Sequence, residues 1–165
     1  MDETSVHART RASHRRDFIA RYLGLTVAGQ LVWEGLQLPL YGLWSEASPG
    51  AMAFAVLHCT LGDVAIAAAS LALAAVLLGD SRWPEDYRSY RRVAVATVVF
   101  GVAYTVFSEW INVSVRGNWT YSPLMPTLPV LGTGLSPLAQ WLLVPWGVFF
   151  LARRGMRIHF QPGGG

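Results

Sequence analysis

The feature that most constrains this chain is the apolar run between Gly50 and Gly79, which consists almost entirely of Ala, Val, Leu, Ile and Phe. A helix needs about 20 apolar residues to cross the ~30 Å hydrocarbon core of a bilayer, so the run predicts a transmembrane helix. His58 and Asp63 lie inside it. Ionisable groups are costly at that depth, and they therefore mark a candidate functional site.

The composition agrees with a lipid-facing surface. Hydrophobic residues make up 53% of the chain and charged residues only 14%, with a mean hydropathy of +0.35. Soluble domains usually carry about 25% charged residues. The length of 165 residues fits one domain. The net charge is +3, but the arginines stand at the edges of apolar runs. That placement indicates membrane topology and no nucleic-acid partner.

The basic residues also suggest a source. All 13 are arginine, and Ala, Gly and Pro are abundant, which favours a GC-rich bacterial genome and hence the bacterial inner membrane. The single cysteine, Cys59, excludes an internal disulfide.

The order of apolar runs predicts an all-α membrane protein, a four-transmembrane-helix bundle. The spans cover about 18–44, 51–78, 93–115 and 137–152, in a domain of residues 18–157. Residues 1–17 are expected to form a disordered arginine-rich tail, and residues 158–165 a flexible one. Proline lacks the amide donor of a helix interior, so Pro39 should bend or end the first helix and Pro145 should kink the fourth.

Two helix faces carry small residues at spacings that allow close helix approach. Gly24 and Ala28 form one such face in the first span. The second span repeats small residues at three and four, which predicts a packing stripe beside Asp63. The stripe consists of Ala55, Cys59, Gly62, Ala65, Ala69 and Ala72.

Arginine placement predicts the orientation. The N-terminal tail, the loop at 79–92 and the C-terminal end are rich in arginine, whereas the first loop has none and the third only Arg116. The positive-inside rule therefore places both termini in the cytoplasm. Residues 13–19 also resemble a twin-arginine export signal. The apolar region continues past a leader core of about 7–15 residues, so an arginine anchor is the favoured interpretation.

Residues 116–136 are too rich in proline for a helix. Pro123, Pro126 and Pro129 suit an extended polyproline-like segment. Trp119 and Tyr121 are amphipathic enough to lie at the membrane surface, and we expect this loop to cap the outer ends of the helices.

The candidate polar residues are predicted to lie in the outer half of the bilayer. Counted from the outer ends of the spans, Glu109 and Gln140 lie roughly 5 Å deep, His58 roughly 10 Å, and Glu34 and Asp63 roughly 15 Å or near the midplane. Polar groups contributed by four helices to one layer predict a shared pocket beneath the proline-rich loop. Its candidate ligand-binding or proton-relay residues are Glu34, Gln37, His58, Asp63, Glu109, Asn112 and Gln140.

The pocket has more potential anions than cations. Glu34, Asp63 and Glu109 face only His58 and Arg116 as nearby basic groups. Three outcomes are open: protonated carboxyls, a pair between a carboxylate and His58, or an external cation. Metal-ligand spacings such as HxxxH or ExxH are absent from the sequence, so no metal site is predicted and the cofactor is left unassigned.

Each polar residue also has a structural interpretation. Polar groups between membrane helices form hydrogen bonds worth about 0.6 kcal/mol on average. That role suits Gln37 and Gln140, while Glu109 and Asn112 lie near the interface. Cys59 is most simply a small packing residue. Glu34 and Asp63 are deepest and carry the functional hypothesis.

Three functions remain open on the sequence. The first is a protein that binds or transports a small apolar or cationic ligand. The second is a membrane enzyme acting on a lipid or isoprenoid, with Asp63 or Glu109 as general acid/base and His58 as proton shuttle. The third is an accessory subunit that docks into a larger membrane complex. Four short spans are few for a lone transporter, which favours a homo-oligomer under the first hypothesis.

Overall fold

A computed structural model describes residues 3–129 and 132–159, with side chains for 9–129 and 132–155. The described residues are mainly helical and contain no β-strand. In chain order the elements are α1 Glu3–Gln37, a 3₁₀ turn Leu38–Leu40, α2 Leu43–Glu46, α3 Pro49–Leu78, α4 Tyr87–Glu109, π-helical turns Trp110–Val115 and α5 Leu135–His159.

Three of the helical segments are long and apolar enough to cross a membrane. They are Pro49–Leu78, Tyr87–Val115 and Leu135–Gly155. Helix α1 falls outside this set because Arg21, Gln30 and Glu34 lie along its second half. The chain is therefore a helical protein with membrane-spanning character.

The helix ends follow local sequence signals. Ser48 caps α3, its hydroxyl accepting a hydrogen bond from the Ala51 amide, and Pro49 occupies the first turn, where no amide donor is required. Helix α3 therefore starts two residues before the predicted span. Helix α4 starts six residues before its predicted span because Asp86 caps it at Tyr87. Helix α5 exceeds its predicted span at both ends.

Helix α1 differs most from the prediction. It ends at Gln37, two residues before Pro39, so the predicted helical residues 38–44 instead form the 3₁₀ turn and the start of α2. It also begins at Glu3, so residues 3–17 are helical rather than disordered. The sequence has no proline or glycine before Gly24 to break the helix. His14 also contacts Glu85 at 2.6 Å, which ties this turn to the α3–α4 loop.

The four long helices pack side by side. Helix α1 contacts α3 and α5, and α4 contacts the same two helices. We call the end formed by residues 38–48 and 116–134 the loop end. The opposite end is called the arginine end, and it carries Arg15, Arg16, Arg82, Arg88, Arg91, Arg92, Arg153 and Arg154.

The core at the arginine end is aromatic. Phe18 lies 5.4 Å from Trp83, 5.7 Å from Tyr90 and 6.2 Å from Phe149, measured between ring centroids. The Tyr90 hydroxyl donates to the Phe149 carbonyl, so its polar atom is satisfied inside the cluster. Because of this aromatic cluster, the arginine end differs chemically from the loop end.

The predicted small-residue faces were wrong. Gly24 and Ala28 are exposed, whereas Gly29 approaches α5 so closely that an added Cβ would lie 2.8 Å from Val144. On α3 most of the stripe is exposed, including Ala65 and Ala69. The buried residues of that helix are Thr60, Ala67, Ser70, Leu71 and Ala74. Small residues occur on every side of α3, so their spacing alone does not select the face that packs.

Candidate functional site

One buried stripe of α1 builds the first wall of the site. Its members recur every four or three residues and change from apolar at the arginine end to polar at the loop end. The stripe consists of Phe18, Tyr22, Thr26, Gln30, Glu34 and Gln37. Residues at these spacings share one face of a helix, so the last two turns of α1 direct an amide, a carboxyl and a second amide inward.

Gln140 on α5 is the centre of the polar layer. Its Nε2 atom lies 2.9 Å from each of three acceptors: Gln30 Oε1, Glu34 Oε1 and Asp63 Oδ2. Its Oε1 atom accepts from Gln37 Nε2 at 3.2 Å. Gln140 is only 2% exposed and joins side chains from α1, α3 and α5.

A chain of hydrogen bonds runs from the loop end to this amide. The Trp33 indole donates to Ser136 Oγ at 3.3 Å, and the Ser136 hydroxyl donates to Gln37 Oε1 at 2.9 Å. Gln37 Nε2 then donates to Glu34 Oε1 at 2.8 Å and to Gln140. The donors therefore point along the chain toward the carboxyl groups.

The Glu34 and Asp63 carboxyls lie next to each other at the end of this chain, with the Trp141 indole beside Asp63. Apart from each other, their polar partners among the described residues are neutral amides and an indole. An amide nitrogen has two N–H donors, and here three acceptors compete for them. Two adjacent carboxylates repel each other, and their neutral partners do not offset this repulsion. The pair therefore needs a shared proton or an external cation.

A cavity of about 560 Å³ opens on the carboxyl pair. Helices α1, α3 and α4 and the loop that follows α4 contribute to its walls. Much of the lining is aromatic, supplied by Tyr41, Phe54, Tyr104, Trp119 and Trp141. Sites for small organic molecules typically have volumes of about 300–1,000 Å³ and a mostly apolar lining with a few placed polar groups, and the volume of this cavity lies in that range.

Glu109 belongs to the same cavity but to a different set of hydrogen bonds. Its carboxyl accepts from the Tyr121 hydroxyl, which in turn accepts from the Gly134 amide at 2.9 Å. Burial, followed by the hydrogen bond to Glu109, raises the pKa of the Tyr121 phenol, so it stays a donor at neutral pH. Glu109 is 7% exposed. The contact ties the proline-rich loop to α4.

Backbone hydrogen bonds hold this loop over the loop end. The Gly42 amide donates to the Thr120 carbonyl at 2.9 Å, and the Ser122 amide donates to the Leu40 carbonyl at 2.9 Å. Tyr41 and Tyr121 pair as an antiparallel bridge between these contacts. The segment that follows α1 and the loop that follows α4 thus form one side of the cavity.

The remaining predicted residues occupy the margins. His58 is exposed, stacks on Phe54 at 5.7 Å between ring centroids, and forms no hydrogen bond with a carboxyl group of the described residues. The alternative of a carboxylate–His58 pair is therefore not formed. Cys59 is exposed beside it. Asn112 donates to the Ser108 carbonyl at 2.8 Å and accepts from Asn118 at 2.7 Å.

Several residues of the site were missed by sequence reasoning. Gln30 lies four residues before Glu34, and its place on the same helix face was a signal that the sequence contained. Ser136 and Tyr41 gave no such signal because they lie outside regular periodic runs. The π-helical turns Trp110–Val115, which follow Glu109 directly, were also not predicted. Wide turns of this kind frequently occur at functional sites.

The described residues contain no group of three or more His, Cys, Asp or Glu side chains placed to hold a metal ion. Comparison of the chain with protein-family models, curated proteins and solved structures gives no match.

Proposed function

We propose that this protein is a bacterial inner-membrane protein with four spans and cytoplasmic termini, and that its cavity binds a small organic cation with apolar substituents. The observation that carries the ligand proposal is the Glu34–Asp63 carboxyl pair, which has neutral partners and opens on an aromatic cavity.

The outward face of α1 supports a fourth span. Val27, Leu31, Val32 and Leu36 are all at least 40% exposed, while the polar residues of the same helical turns are buried: Thr26, Gln30, Glu34 and Gln37. Such a helix has a low mean hydropathy and still presents an apolar surface to lipid. At about 1.5 Å per residue, residues 18–37 extend ~30 Å, enough to cross the hydrocarbon core.

The distribution of arginines supports the orientation. The arginine end holds the basic residues of three separate segments, whereas among the described residues Arg116 is the only arginine near the loop end. Positive charge is retained on the cytoplasmic side, so the cavity would face the outer half of the bilayer.

The chemistry of the cavity favours a cation with apolar groups over a neutral ligand. A positive charge between Glu34 and Asp63 would relieve the repulsion that two adjacent carboxylates experience in a low dielectric. Aromatic faces such as those of Tyr41, Tyr104 and Trp119 add cation–π attraction, which strengthens on desolvation.

Two alternative hypotheses explain fewer features of the site: polar groups that only connect helices, and a membrane enzyme. Polar groups that served only as contacts between helices would fill the space among them, whereas a cavity of about 560 Å³ remains beside the carboxyls. The acid/base relay of the enzyme hypothesis needed His58 near a carboxyl, and His58 stacks on Phe54 instead.

The test is calorimetric titration of the purified protein in detergent with tetraphenylphosphonium, compared with neutral triphenylphosphine oxide. We expect the cation to bind and the oxide not to. In the double variant Glu34→Gln/Asp63→Asn, the affinity for the cation should fall about tenfold or more, because the attraction between the cation and the carboxylates is lost.

The matched control is Glu46→Gln, which removes an exposed carboxyl at the same end of the molecule but outside the cavity. It should leave the affinity unchanged. Equal binding of the cation and the oxide, or an equal loss in the Glu46 variant, would show that the carboxyl pair does not select a cation.

A further inference from the structure

A second cleft lies at the arginine end, between α4 and α5, far along both helices from the carboxyl pair. It has a volume of about 380 Å³. Its lining combines three arginines with aromatic side chains: Tyr87, Arg91, Trp146, Phe150, Arg153 and Arg154. The helices on both sides are candidate membrane spans, so the cleft faces the region where a bilayer would meet the arginine end.

The three guanidinium groups rest on aromatic rings rather than on acids. Arg153 lies 4.5 Å from the Tyr87 ring centroid and 4.8 Å from that of Tyr90, and Arg154 lies 4.2 Å from Phe150. None of the three forms an ion pair within the part of the chain that the structure describes. The ring contacts hold the planar groups in place, and no described residue accepts a hydrogen bond from them.

Arg153 supplies the most direct indication of a ligand. Its Nη1 atom is buried and has no hydrogen-bond partner among the described residues. A buried unpaired donor on a charged group is costly, and an anion in the cleft would offset the charge of this guanidinium. Two acids of this end are already engaged, since Asp80 pairs with Arg92 at 3.8 Å and Glu85 with His14.

The cleft changes from charged to apolar along both helices. On α5 the exposed residues Trp146, Phe150 and Arg154 follow one another at four-residue spacing. On α4 the cleft-lining residue that follows Arg91 toward the middle of the span is Ala94, three residues later. Each helix therefore presents an arginine at its end and apolar side chains one turn and more toward the middle of the span. This arrangement matches an amphiphile with an anionic head and an apolar tail.

From this geometry we propose that the cleft binds an anionic phospholipid. Its phosphate contacts Arg91, Arg153 and Arg154, and its acyl chain lies along Trp146 and Phe150. Basic pockets between membrane helices on the cytoplasmic side suit such head groups. A free phosphate ion would use the guanidinium groups but leave the aromatic wall without a role. The inference does not depend on what the carboxyl cavity binds.

The test counts lipids bound to the purified full-length protein by native mass spectrometry. The protein in detergent is titrated with dioleoylphosphatidylglycerol, and separately with zwitterionic dioleoylphosphatidylcholine. We expect one phosphatidylglycerol site that phosphatidylcholine does not fill. Arg154→Gln should weaken it about fivefold, the effect of one arginine on an anionic head group. Arg154 is exposed, so this variant does not disturb the core. Arg153→Gln should weaken the site at least as much.

The control is Arg16→Gln, which makes the same charge change at an exposed position on α1 outside the cleft. It should leave phosphatidylglycerol binding unchanged. Trp146→Ala should also weaken binding, because it removes the wall for the acyl chain. An equal loss in the Arg16 variant, equal binding of both lipids, or full displacement of phosphatidylglycerol by inorganic phosphate would overturn the proposal.

Discussion

At the scale of single residues, the position of Trp141 in the site depends on Gly101. A Cβ atom at Gly101 would lie 2.2 Å from Cε3 of Trp141, well inside any normal contact distance. Trp141 is 2% exposed, lines the cavity and lies beside Asp63. The missing side chain of Gly101 therefore decides where the indole sits and, through it, the shape of the cavity.

We expect Gly101→Ala to lower the free energy of unfolding by about 1–3 kcal/mol, the usual cost of inserting atoms into a packed core. Thermal unfolding in detergent measures this change. The matched control is Gly24→Ala, where nothing lies within 4 Å of the added Cβ. There the higher helix propensity of alanine should make the change neutral or slightly stabilising. Equal unfolding temperatures for the two variants would contradict the close contact.

At the scale of elements, the start of α4 depends on one carboxylate. Asp86 Oδ2 accepts a hydrogen bond from the Ser89 amide at 2.8 Å, and this bond lowers the pKa of Asp86 below its ordinary value of 3.8. A group with a lowered folded pKa stabilises the folded state above the unfolded pKa. That contribution decreases as the pH falls through the folded pKa. Acid should therefore weaken this helix start.

The pH dependence can be isolated with Asp86→Asn, since asparagine caps a helix about as well as aspartate but does not titrate. Between about pH 7 and pH 3 the unfolding temperature of the wild type should fall more than that of the Asn variant. Circular dichroism melts at each pH measure the difference. Parallel curves would mean that the Asp86 carboxylate contributes no pH-dependent stability.

The helices also show which structural features can be predicted from sequence patterns. The stripe of α1 could be read in part, because Glu34 and Gln37 share a face and Gln30 extends it. The face of α3 that is buried could not be predicted from the sequence, because alanine and glycine occur all around that helix. Contacts with α1 and α4 bury Ala67 and Ala74, whereas Ala65 and Ala69 remain exposed. Packing partners, rather than local spacing, select the buried face of such a helix.

At the scale of the whole molecule, the two ends are chemically opposite. The loop end carries loops with few charged residues above a carboxyl-containing cavity, while the arginine end carries basic side chains around an aromatic core. In the proposed orientation the first site faces the outer half of the bilayer and the second the cytoplasmic leaflet. One small chain would thus bind a cation on one side and an anionic lipid on the other.

The orientation can be tested by cysteine labelling. In a Cys59→Ser background, Ser45→Cys places a thiol at the loop end and Ser81→Cys places one at the arginine end; both positions are exposed. With a membrane-impermeant maleimide on intact spheroplasts, we expect labelling of the first variant only. The second should react after lysis. The reverse pattern would place the termini outside, and labelling of both before lysis would show that α3 does not cross the membrane.

The sequence by itself determined the class of protein, a helical protein with membrane-spanning segments, and it predicted the depth of the polar residues. The length of an apolar run, the position of Pro39 and the clustering of arginines are local properties, and each has a direct physical consequence for a chain in a bilayer. Only the tertiary structure decided which polar groups meet. Gln140 bonds to Gln30, Glu34 and Asp63 because α5 packs against α1 with α3 alongside, over sequence separations of 77–110 residues. His58 is five residues from Asp63 in sequence and still takes no part in this network, because one helical turn and a half places it on a different face.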